Sequence, residues 1–173
     1  MAAGMLLVAC DLPVGASGSG EGRHGEASGT AARHFEAGAE THGSPLPDDI
    51  ARGLSTDARV LDCPEGTAGG RSAFAPDWVV AHAVDLDGDG PDDWVVEGRH
   101  ACLAGPSGSR WWVYAGAPAG ARLVGALDEA RALEILPARR GGLGDLRLRR
   151  ADGGDVLLHH DGDAYAPVAD PAR

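Results

Sequence analysis

The sequence predicts a mainly β fold: a small antiparallel β-meander domain with one loop-bearing hairpin, following a disordered N-terminal tether. Three observations carry this expectation. From residue 78 onward, short runs rich in Val, Leu, Trp and Tyr alternate with Gly/Pro/Asp turn signals, at the intervals of about 8–12 residues typical of antiparallel β domains. Residues 11–43 are mostly Gly, Ser, Ala, Glu and His with almost no large apolar side chain. Helix-type composition is confined to two short stretches, at Pro47–Gly53 and Leu127–Leu136. The chain has 173 residues, 43% of them hydrophobic, which suits one domain with a real core.

At the N-terminus, "MAAGMLLVAC" carries an apolar run, Met5–Ala9, that stops at Cys10. Leu-Val-Ala-Cys resembles the lipobox of bacterial lipoproteins, whose cysteine is acylated and becomes the first residue of the mature chain. The resemblance implies a signal segment over 1–10, lipidation at Cys10, and a membrane-anchored lipoprotein of the bacterial cell envelope facing the periplasm or exterior. An ordinary apolar N-terminus with a chance Cys is the alternative. Residues 11–47 then read as a linker, because they bury too little surface to offset their ordering entropy. His24, His34 and His42 fall within it as scattered polar residues.

The folded domain is expected over 48–173. Asp48 and Asp49 after Pro47 open a short helix that Gly53 ends. "ARVLDC" (Ala58–Cys63) reads as a first strand and "PEGTAGGRS" as a loop. Strands follow at Trp78–Val84, Asp93–Glu97, Arg110–Ala115, Arg122–Leu127, Ala132–Leu136, Asp145–Arg149, Val156–His159 and Ala164–Val168. "LDEARALEIL" is divided into a turn or single helical turn at Asp128–Arg131 and then a strand. "RRGGLGD" (Arg139–Asp145) is a glycine-rich turn without the spacing of a phosphate cradle.

One motif carries chemistry. In "DLDGDGPDD", Asp85, Asp87, Asp89 and Asp93 occupy positions 1, 3, 5 and 9, with Pro91 at position 7. Calcium takes six to eight oxygen ligands, and a tight loop delivers them at alternate residues while the backbone wraps the ion. Gly88 and Gly90 allow the positive φ that such curvature needs. Pro91 lacks an N–H but offers its carbonyl. An EF-hand fails here: position 12 is Val96, Glu97 falls one residue late, and the flanks are β-type. The pattern D-x-D-G-D-G-x-x-D between two strands resembles the FG-GAP, or integrin-α-like, calcium loop, over Trp78–Gly98. That resemblance implies Ca2+ bound by Asp85, Asp87, Asp89, Asp93 and the carbonyl of Pro91. This chain has a single copy, too little for a propeller. Asp85–Tyr114 is also similar to small bacterial lipoproteins of uncharacterised type, which pair one such loop with a Cys segment and an aromatic pair. A tight acidic hairpin without metal is the bland alternative.

If Cys10 is acylated, Cys63 and Cys102 remain as an even pair in a disulfide-permissive compartment. Two buried free thiols are the alternative. Trp78 and Trp94, each preceded by Asp and followed by Val-Val, are expected as core or cross-strand partners. Alternation sends Trp112 and Tyr114 to one strand face and Trp111 to the other, so core packing and a partner surface both stay open for these three.

The net charge of −11 repels a phosphate backbone, which argues against nucleic acid. Ser107 and Ser109 lack a G-x-S-x-G elbow, and His82, His100, His159 and His160 form no nucleophile–base pattern in sequence. A non-enzymatic binding or structural module is expected, with calcium as the cofactor, the membrane as one partner through the lipid anchor, and an unknown envelope protein or polymer as another. The alternatives are an envelope interaction protein (an inhibitor or assembly factor) working through the aromatic surface, and, more remotely, a metal-assisted hydrolase.

Overall fold

The computed structural model describes residues 32–40, 42–90 and 92–168. Within them the chain runs β1 (Arg33–Glu36), α1 (Asp48–Leu54), α2 (Ala58–Leu61), β2 (Thr67–Ala68), β3 (Arg71–Ser72), a 3-10 turn (Pro76–Trp78), β4 (Val79–Val84) and β5 (Asp93–Gly98). It continues through β6 (Ala104–Gly105), β7 (Gly108–Ala115), β8 (Arg122–Ala130), β9 (Ala132–Arg140), β10 (Leu143–Arg149), β11 (Asp155–His160) and β12 (Tyr165–Pro167). The mainly β, antiparallel character read from the alternating runs is what the structure has.

Two five-stranded sheets result. One has the order β1-β9-β10-β11-β12; in the other, β4 pairs β5, β5 pairs β7, and β7 also pairs β6 and β8. The β2–β3 hairpin stands apart. All ladders are antiparallel, with Val96 opposite Trp112 and Trp94 opposite Tyr114 in the central pair.

The β4-β5-β7-β8 sheet is covered on both faces. On one face Val84, Val95, Trp111, Val113, Val124 and Leu127 meet Leu133, Ile135, Leu146 and Leu148 of the other sheet. On its opposite face Val79, Val96, Trp112 and Tyr114 pack against Ile50, Leu54 and Val60 from the two short helices. Layers therefore stack as helices, sheet, sheet. Ile50 and Leu54 are one helical turn apart, which is what lets a seven-residue helix present a single apolar edge.

Four expectations need correction. Ala58–Leu61 is a helical turn rather than a strand, because Asp57 caps it by accepting the Arg59 N–H at 2.9 Å. Asp128–Arg131 is no separate turn: β8 runs unbroken to Ala130, whose side chain joins Leu127 in the inter-sheet core, and packing overrides the helix-forming composition. The linker expected over 11–47 is ordered in part. Arg33–Glu36 pairs with Ala132–Ile135, Phe35 packs on the inter-sheet core, and Ser44 bridges Ala81. Finally, Trp111, Trp112 and Tyr114 offer no partner surface, being 0%, 0% and 4% exposed. The two indoles do point to opposite faces, but a second sheet covers one face and the helices cover the other. Each polar group is satisfied indoors: Trp111 Nε1 donates to the Ala130 carbonyl at 3.1 Å and Trp112 Nε1 to Asp57 Oδ2 at 2.9 Å.

Among the described residues no helix is long and apolar enough to cross a membrane. Cys10 and the signal segment lie outside the described residues.

Candidate metal centre

The acidic loop joins β4 to β5, two strands paired in register from Val79–Gly98 to Val84–Asp93. Its second residue anchors it. Leu86 is 1% exposed within the inter-sheet core, so the loop cannot lift without uncovering apolar surface. The Leu86 carbonyl accepts the Gly144 N–H at 2.7 Å, fastening the loop to β10.

Asp93 closes the loop from the other side. Its Oδ2 accepts the Leu86 N–H at 2.7 Å and its Oδ1 the Gly116 N–H at 2.8 Å. The carboxyl is nonetheless pushed up from its ordinary value, because burial, reinforced by the charges of Asp87 and Asp92, disfavours its ionised form more than the two backbone bonds favour it. Asp85 accepts the Gly88 N–H and Asp87 the Asp89 N–H at 3.0 Å, each closing a local turn that fixes the carboxylate.

Asp85, Asp87 and Asp93 converge: one carboxylate oxygen from each lies within 4.8 Å of the others. Asp89 stands outside that trio. It shares a proton with Asp87, and that hydrogen bond, reinforced by the charges around it, raises its carboxyl to about 6. Three clustered carboxylates, with a fourth that holds its proton more tightly than usual, concentrate negative charge at this end of the hairpin. Pro91, expected to supply a carbonyl, lies outside the described residues. Gly88 and Gly90 have φ of +89° and +146°, as the curvature demands.

Sequence reasoning missed one participant. Arg139, at the tip of the β9–β10 hairpin, donates to the Asp87 carbonyl and lies so close over Gly88 that a Cβ there would strike its guanidinium. Nothing in the spacing could reveal a partner 52 residues away; the only hint is a basic pair at a glycine-rich turn. Arg140, its neighbour, faces the buried Asp145 at 3.5 Å.

At the far end of the β4–β5 hairpin, Cys63 and Cys102 form a disulfide with Cα atoms 5.6 Å apart, tying α2 to the segment after β5. Ser109, one of the candidate nucleophiles, donates its hydroxyl to the buried Glu97 at 2.9 Å. Glu97 also accepts the Gly38 N–H and faces Arg99 at 3.0 Å, so this group clamps the N-terminal strand. Trp78 stacks on His100 at 3.9 Å, and Trp94 sits half-buried beside Tyr114 in the ladder. His159 and His160 are not drawn into a cluster with Asp161. Asp161 instead caps its own turn, accepting from Asp163 and Ala164, and His160 Nδ1 bonds the Gly141 carbonyl at 2.8 Å. Comparison with family models, with curated proteins and with solved structures gives no match.

Proposed function

We propose that this protein is a cell-envelope lipoprotein, anchored through Cys10, whose β domain is a non-enzymatic binding or structural module built around a calcium site in the FG-GAP-like loop. The observation that carries the reading is the convergence of Asp85, Asp87 and Asp93 at the end of a rigid hairpin. A hard, oxygen-liganded dication suits an all-carboxylate set, and a loop of nine residues with two glycines adapts to the larger ion better than to magnesium, which demands near-ideal octahedral geometry.

Bound calcium would bring two positive charges to these carboxylates. Each oxygen of Asp93 accepts only one N–H and retains a lone pair to offer. Asp85 and Asp87 are fixed by their own turn hydrogen bonds. Below about pH 6, Asp89 would give up a proton on joining the ligand set. The Pro91 carbonyl would complete the loop's contribution. With Leu86 already seated in the core and Asp93 held by two backbone donors, much of the ordering cost is met before an ion arrives, which favours binding.

Calorimetric titration of the full chain with calcium tests this. One site per chain is expected, abolished by Asp87→Ala and largely kept in Asp92→Ala, whose side chain lies outside the alternating set. Equal loss in both variants would sink the ligand assignment.

A further inference from the structure

The corner opposite the acidic loop carries a second donor cluster of different chemistry. Sulfur atoms of Cys63 and Cys102 and a ring nitrogen of His100 lie within 4.8 Å of one another. His100 Nδ1 is 3.1 Å from Cys102 Sγ. The imidazole is held there: its ring stacks on Trp78 with an interplanar angle of 14°, while its backbone N–H donates to the Trp78 carbonyl at 3.0 Å. A cavity of about 190 Å³ opens onto the sulfurs, lined by Arg59, Asp62, Cys63, Pro64, Cys102 and Arg110. Cys63 is 7% exposed and Cys102 is half-buried, so Cys102 is the more exposed residue of the pair.

We propose that reduction of the disulfide converts Cys63, His100 and Cys102 into a site for a thiophilic divalent cation of the zinc class. Two thiolates and an imidazole are the donors such ions select, and three protein ligands leave a fourth position open. The cavity gives that position access to water or to Asp62. The reductant is a dithiol. Its thiolate attacks Cys102 Sγ, and the electron pair of the broken S–S bond leaves on Cys63 Sγ. The second thiol of the reductant then displaces Cys102 as the reductant closes its own disulfide. Two electrons and two protons pass to the cysteines. Cation binding sends those two protons to solvent, and neutral His100 adds the lone pair of Nδ1 without a proton change. Arg59 and Arg110, which border the cavity, favour the approaching and departing thiolates. They oppose the cation little, because two thiolates and a divalent ion sum to zero.

The cluster is independent of the calcium reading, and the test keeps them apart. The full chain carrying Cys10→Ser and Asp87→Ala, which remove the third thiol and the acidic loop as a competitor, is reduced anaerobically with a phosphine and titrated with Co2+ and then Zn2+. One Co2+ per chain is expected, with thiolate-to-metal charge-transfer absorption and the d–d bands of four-coordinate cobalt, displaced by zinc. The oxidised chain shows neither. His100→Ala weakens zinc by roughly 10-fold or more, and Cys102→Ser removes about half of the charge-transfer intensity. A reduced chain that unfolds and is refolded by zinc gives the same answer through circular dichroism. Equal metal binding by oxidised and reduced chains would overturn the proposal, as would zinc affinity indifferent to His100→Ala or a reduced chain that zinc cannot refold.

Discussion

The β4–β5 hairpin is fastened by opposite means at its two ends. At Val84–Asp93 the closure is electrostatic: carboxylates, backbone donors and one arginine, all sensitive to pH and to cations. At Val79–Gly98 the closure is covalent and aromatic, with the disulfide beside the Trp78–His100 stack. Six residues per strand separate them by about 17 Å, at 3.4 Å per residue. One sheet edge is thus held by two devices that answer to different chemistry, ionic conditions at one end and redox poise at the other.

The largest expected effect comes from breaking the covalent end. The disulfide closes a segment with a sequence separation of 39, and Cys63→Ala with Cys102→Ala should cost about 4 kcal/mol on the chain-entropy model. Urea unfolding measures this. The calcium response should survive the loss, since sites this far apart couple by less than about 0.5 kcal/mol. A calcium response that vanishes with the disulfide would mean that the two ends are one unit.

Next is Asp93→Ala, which leaves the Leu86 and Gly116 N–H groups without their acceptor and should cost about 1–3 kcal/mol even in chelator. The same variant should lose calcium binding, whereas Asp87→Ala should lose binding with little change in chelator. That contrast separates the residue that builds the loop from the residue that only lines it.

The smallest effect is a pH dependence. Asp89, raised to about 6, and Asp93, raised by burial, both hold protons more tightly folded than unfolded. Their stabilising contribution is present below the unfolded carboxylate range and fades as pH rises through about 6. Thermal midpoints in chelator should therefore fall between about pH 4 and pH 7. Calcium should flatten or reverse that fall by replacing the protons. A midpoint in chelator that rises over this window would contradict the sharing of a proton between Asp87 and Asp89.

Most of the strand positions along the chain were legible in the sequence because alternating runs and turn signals are local. The spacing of the aspartates also placed three of them together, and it required positive φ at Gly88 and Gly90, which the structure has. What failed was tertiary. Alternation put Trp111 and Trp112 on opposite faces but could not say that two short helices cover the second one. Arg33–Glu36 looks like linker except for Phe35, and it becomes a strand only because β9 offers an unpaired edge. Ala58–Leu61 could have been read correctly: Asp57 before Ala-Arg is an N-cap signal, outweighed in the sequence reading by the β-branched Val60 within an apolar run. Arg139 could not have been found, since the meeting of two hairpin tips is a property of the packed sheets.

The central claim is that the acidic loop is a calcium site, and thermal unfolding of the full chain in calcium, in magnesium and in chelator tests it most directly. A midpoint raised by calcium, raised much less by magnesium, and unchanged by calcium in Asp87→Ala is the predicted result. Identical midpoints in calcium and chelator for the unmutated chain would mean that Asp85, Asp87 and Asp93 form only a turn.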